Sequence, residues 1–83
     1  MASEAPADTE LTPYDRTHLI TYLRLLDADV EGAPWDEVAR IVLGIDPVAE
    51  PQAARRAHET HLRRAQWMTE AGYKLLLQNA RPG

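Results

Sequence analysis

Eighty-three residues make one domain, with a core too small for a deep catalytic cleft and the scaffold to support it. There is no cysteine, which excludes disulfides and a thiolate zinc site, and the net charge of −4 counts against unaided binding to phosphate backbones. No basic-then-apolar leader and no apolar run of membrane-spanning length is present, so a soluble cytoplasmic protein without membrane contact is expected.

Residues 1–12, rich in Ala, Glu, Asp and Pro, read as a disordered tail, with the domain proper at 13–79 and a frayed end at 80–83. Thr12-Pro13-Tyr14-Asp15 is a helix start: Thr as N-cap, Pro at N1, and an acid at N3 near the positive end of the dipole. The helix that follows is expected to run to about Asp29 as the first of three. Leu19, Tyr22, Leu23, Leu26 and Val30 form its apolar side, and Tyr14, His18 and Leu25 extend the arc on one flank. An arc this wide has two readings: contact with two helices of the same domain, or a flank that faces a partner.

Glu31-Gly32-Ala33-Pro34 is a turn, and a short second helix is expected from Trp35 to Leu43 with Gly44 closing it. Its inner stripe is Trp35, Val38, Ala39 and Val42. Pro47 and Pro51 argue against continuous helix and make Ile45 to Glu50 an ordered connection. A third helix is expected from Pro51 to Gly72, burying Ala54, Ala57, His58, His61, Leu62, Ala65 and Met68 and exposing Arg55, Arg56, Glu59, Arg63, Gln66 and Glu70. Tyr73 to Gln78 would form a last short helix. The fold class is therefore all-α, a small bundle of three main helices plus a short C-terminal helix, with the order of a helix-turn-helix and a connection longer than usual.

Charge is divided unevenly along the chain. Residues 1–50 hold eleven acids against Arg16, Arg24 and Arg40, whereas residues 51–83 carry an excess of base. Arg55, Arg56, Arg63 and Arg64 are the residues most easily read as a nucleic-acid contact, but Glu59 sits four residues from both Arg55 and Arg63 and can neutralise them. His58 and His61 lie on one helix face, yet no third ligand stands at metal-binding spacing, so half-buried histidines bonded to backbone are expected and no metal or cofactor. No phosphate loop or nucleophile motif occurs, so an enzyme is not expected. Trp67 falls off the apolar arc and reads either as an interface anchor or as a residue packed beside Tyr73.

The blocks YDRTHLITYLRLLDA, WDEVARIVLGIDP and AHETHLRRAQWMTEAGYKLLL, in that order, resemble the proteobacterial domain-of-unknown-function family numbered 2285 from Tyr14 to Leu77. The resemblance implies a helix-turn-helix variant whose extended turn covers Ile45 to Glu50. Family members include activators of the excision and transfer of conjugative elements, which touch DNA through a basic face of this domain and pack its other side on an N-terminal domain. Others are stand-alone antiactivators that carry an acidic surface and capture the activator's N-terminal domain. The acidic first half, with no room for another domain before Tyr14, makes an antiactivator the expected function, acting as a monomer by competitive occlusion. Its partner surface would then comprise Tyr14, His18, Leu25, Trp67 and Tyr73, and DNA binding is not expected. The alternative is a DNA-binding regulator that reads DNA through Arg55, Arg56 and Arg63 of the third helix.

Overall fold

Thr12 sets the first helix going. In the computed structural model, which describes residue 2 and residues 4–72, Thr12 is extended, its hydroxyl accepts from the Asp15 amide, and the Asp15 carboxylate takes the Thr12 amide in return. This reciprocal capping box starts α1 (Pro13–Thr17), and Pro13 sits at the position where its missing donor costs nothing. The chain then breaks at His18, whose φ of −109° and ψ of 24° are not helical, before α2 (Leu19–Glu31). The single helix expected from Pro13 to Asp29 is thus two, hinged at a residue that is neither proline nor glycine.

Gly32 closes α2 in the left-handed conformation (φ 73°), its amide reaching back to Ala28 and Asp29. Helix α3 (Trp35–Ile41) follows Pro34, with Asp36 and Glu37 in its first turn, and stops two residues earlier than expected. Gly44, at φ 70°, turns the chain into the connection, where Ile45 donates to the Ala39 carbonyl. Within it the Asp46 side chain accepts from the Val48 amide and the Asp46 carbonyl from the Glu50 amide, so residues 42–50 are an ordered, hydrogen-bonded turn. Helix α4 (Pro51–Trp67) is the longest element, and its last turn widens into a π-helical segment, Met68–Gly72. The last short helix expected after Gly72, and with it Tyr73, lies outside the described residues.

The result is all-α, with no strand among the described residues: α2 and α3 both pack on α4, and α3, the extended turn and α4 form the helix-turn-helix element. The core is Tyr22 and Leu25 from α2, Val38 from α3, Leu43, and the alanines Ala57 and Ala65 of α4, with Ala39 and Ala54 also fully covered. Alanine on the buried side of α4 lets both neighbours approach closely, as expected. On α2 the burial is rotated: Tyr22 and Leu25 are inside, while Leu23 and Val30, expected in the inner stripe, are exposed. The cause is polar, because α2 must turn Tyr22 so that its hydroxyl reaches Asp15 at 2.8 Å.

Gly32→Ala places a Cβ in open space but at a φ that L-residues rarely adopt. The expected cost is about 1 kcal/mol, a fall in Tm of a few degrees on thermal melting, with Gly32→Asn losing less because Asn tolerates that conformation.

Candidate nucleic-acid interface

A buried ion pair fixes how α4 is rotated. Arg64 (4% exposed) meets Asp15 (0%) in a bidentate contact, Nε to Oδ1 at 3.0 Å and Nη2 to Oδ2 at 2.7 Å. The remaining oxygen lone pairs of Asp15 take the Tyr22 hydroxyl and both donors of Thr12. Arg64 spends its other N–H groups on the Asp8 carbonyl and on the Glu10 carbonyl at 2.8 Å, and lies 3.9 Å over the ring of Trp67. No buried side-chain nitrogen or oxygen among the described residues lacks a hydrogen bond. Burial by itself pushes the Asp15 carboxyl up, but hydrogen bonds from Arg64, the Thr12 backbone and the Tyr22 and Thr12 hydroxyls outweigh it and hold the group at about 2. Burial and the bond to Asp15 push the Tyr22 hydroxyl the other way, well above the ordinary tyrosine range.

One turn back along α4, His61 is fully buried. Its Nδ1 lies 2.6 Å from the Ala57 carbonyl, which can only accept, so Nδ1 carries the proton; Nε2 is then an acceptor for the Tyr14 hydroxyl at 2.6 Å. Burial holds the His61 imidazole below its ordinary value, only partly offset by the Ala57 carbonyl, and burial does the same to His58. With both ring nitrogens engaged, His61 is a packing and positioning residue that pins Tyr14, and through it α1, to α4. His18 packs on Tyr14 with ring centroids 4.2 Å apart and the rings tilted by 46°.

These contacts consume one side of α4 and leave the other open. At 100° per residue, the exposed residues Arg55, Gln66, Glu59, Gln52, Arg63 and Arg56 follow one another across an arc of about 100°. Arg55 sits 5.3 Å over the Trp35 ring of α3 and pairs with Glu59 at 3.6 Å, both partners exposed. Such a pair is weak and easily exchanged. Arg56, at the edge of the arc, pairs with Glu4. Residues 4–10, the stretch read from composition as a tail, run along this edge in the same direction as α4: Glu4 beside Arg56, the Ala5 amide on Thr60 Oγ1 at 3.1 Å, and Asp8 and Glu10 on Arg64. Between this arm and the helix lies a cleft of about 420 Å³ lined by Arg56, Thr60, Arg63, Arg64 and Trp67.

The two residue sets read from sequence fare differently. Arg55, Arg56 and Arg63 are brought together on one exposed face. The partner set is not: Leu25 is 1% exposed and belongs to the core, Tyr14 and His18 are half-buried against each other and His61, and Trp67 is half-buried under the Arg64 guanidinium. An unfolding event would be needed to offer Leu25 to a partner, so its assignment to an interface is corrected. Arg64, grouped in sequence with the other arginines, is the exception among them. Asp15 and Arg64 as a pair were not read from sequence. Their signal was there, because Arg64 lies only about 20° beyond the edge of the alanine arc, where an arginine needs a buried acid.

The exposed arginines thus lie on α4, the second helix of the helix-turn-helix, and a comparison with known families gives the class of the protein. The chain matches, over residues 1–78, the family RovC_DNA-bd, described as "T6SS, Transcription factor, DNA binding domain", and belongs to it. No curated protein matches the chain in sequence. The expectation that the partner is an activator's N-terminal domain and that DNA is not bound is therefore corrected: this is a DNA-binding transcription-factor domain family. Transcription regulation stands, while neither the antiactivator mechanism nor family 2285 draws support from the match. No helix among the described residues is long and apolar enough to cross a membrane.

Acid should unfold this domain in two stages, read from urea midpoints against pH. His58 and His61 are held below 6.5, so the unfolded chain protonates first and stability declines as pH falls through that value. The Asp15 contribution is complete above its ordinary 3.8 and drains away between there and about 2, an amount on the order of 2 kcal/mol. Arg64→Met strands the carboxylate in the interior and should cost about 3–5 kcal/mol at neutral pH, with the lower-pH loss between 3.8 and 2 abolished.

Proposed function

We propose that this domain binds duplex DNA by laying the exposed face of α4 in the major groove. The observation that carries the reading is the segregation of arginines along one helix: Arg55, Arg56 and Arg63 share an exposed arc, and the one arginine that would point away is buried on Asp15. Arg55 and Arg56 stand in the first two turns of α4, the end from which recognition helices reach base edges. Gln52 and Gln66 lie on the same arc and supply amides able to contact bases or phosphates. Helix α3 braces this end, because its Trp35 carries Arg55 across the ring. Family membership gives DNA as the ligand class; the residues and the face are our assignment.

The negative total charge does not oppose this. Attraction to phosphate depends on the field at the docking face, within a Debye length of about 8 Å at physiological salt, and not on the sum over the molecule. Asp15 is neutralised in the interior, and Asp36 and Glu37 occupy the first turn of α3, where the helix dipole favours them.

Fluorescence anisotropy with a labelled mixed-sequence duplex tests the assignment. Affinity should drop steeply between about 50 and about 200 mM salt, and each of Arg55→Ala, Arg56→Ala and Arg63→Ala should lower the log–log slope by about 1. A triple variant that stays folded and keeps the parent slope would remove α4 from the interface.

A further inference from the structure

The acidic arm lies against the proposed DNA face, and its placement is specific. Arg64 clamps the arm from beneath through the Asp8 and Glu10 carbonyls, and Thr60 holds the Ala5 amide, so the backbone of residues 5–10 is tied to the flank of α4. At the free end of this clamp, the Glu4 carboxylate meets Nε of Arg56 at 2.5 Å. Glu4 and Arg56 are both more than half exposed, so nothing but their mutual charge and the clamp keeps them together. The hydrogen bond and charge of Glu4 push the Arg56 guanidinium up, in keeping with a carboxylate seated on it. A carboxylate on an arginine of a recognition face has the chemistry of a backbone phosphate: an oxyanion accepting a charge-assisted hydrogen bond.

Resting on the DNA-binding reading above, we propose that residues 4–10 are a built-in competitor, with Glu4 occupying on Arg56 the seat of a DNA backbone phosphate. The arm must release Arg56 before that contact with DNA can form. Because the clamp runs through backbone carbonyls and one buried arginine, the arm stays close to the helix even when Glu4 lets go, and the exchange is local. The cleft between arm and helix, lined by Glu4, Arg56, Arg63 and Trp67, opens beside this seat. Free DNA affinity is thereby set lower than the face alone would give, and any event that draws Glu4 away raises it.

The test is a double-mutant cycle on the full chain, read as affinity for a mixed-sequence duplex. Glu4→Gln should tighten binding roughly two- to five-fold, the range expected of an exposed ion pair, and should do nothing in an Arg56→Ala background. Glu10→Gln removes an equal charge from the same arm without touching Arg56, and should change affinity less than Glu4→Gln does. Because the chain has no cysteine, Ala5→Cys with Thr60→Cys gives a second measurement: oxidation locks the arm and should weaken binding, and reduction should restore it. If the parent binds DNA and Arg56→Ala weakens it, yet Glu4→Gln is without effect or merely equals Glu10→Gln, the competitor is overturned and the DNA face stands. If no variant binds DNA, the face falls and the competitor with it.

Discussion

One buried carboxylate–guanidinium pair sets the geometry of this domain. Taking Asp15 and Arg64 out of water costs several kcal/mol for each ion, and the cost is met only because the contact is bidentate and every remaining donor and acceptor is used. That requirement is demanding in a chain this small. It obliges Thr12 to cap α1 at a particular register, Tyr22 to face inward from α2, and the backbone of residues 8 and 10 to come within reach of α4. The arm, α1, α2 and α4 are thereby held to one point. The apolar core alone would not do this, since it rests on Tyr22, Leu25, Val38, Leu43 and two alanines.

Helix α4 has two sides because of this pair. The side that carries Ala54, Ala57, His61 and Ala65 is consumed by α2 and α3, and small residues there trade hydrophobic area for close approach. Rotation of the helix about its axis is then fixed by Arg64, which cannot leave Asp15 without stranding a charge. The exposed arc follows from that rotation: Arg55, Arg56 and Arg63 point outward because Arg64 points inward. His61 adds a second pin, since its protonated Nδ1 is committed to Ala57 and its Nε2 to Tyr14. Positioning of the candidate DNA face is therefore a consequence of polar contacts made on the opposite side of the same helix.

How much of this could be read in advance varies with the kind of signal. Helix starts were legible where a side chain bonds locally, as at Thr12, and where proline fits the first helical position, as at Pro13 and Pro51, and the turn at Gly32 was legible from its glycine and Pro34. The alanine face of α4 was legible from its period, and so were the three arginines opposite it. The break at His18 was not, because no local residue demands it; it arises where α1 is tied to α4 by Tyr14 and Asp15 while α2 packs separately. The rotation of α2 was misjudged for the same reason, since hydrophobic periodicity favours Leu23 and Val30 whereas a hydrogen bond from Tyr22 decides. Long-range polar contacts leave only a partial trace: the place of Arg64 beside the alanine arc calls for a buried acid, but nothing periodic says that the acid is Asp15, 49 residues away.

Net charge misled most, and the arm explains how. A sum of −4 treats Glu4, Asp8 and Glu10 as part of a uniformly acidic surface that repels DNA. Their placement divides them: Glu4 stands on an arginine of the proposed DNA face, while Asp8 and Glu10 serve through their carbonyls and leave their side chains to solvent. An exposed acid paired with its target differs from one that is distant from it. The distant acid lowers affinity for phosphate through a field that salt screens; the paired one, on the proposal above, lowers it through occupancy of a single site. The same count of carboxylates can thus describe a surface that excludes DNA or one that holds the place of a phosphate until DNA arrives, and only the position of Glu4 over Arg56 tells the two apart.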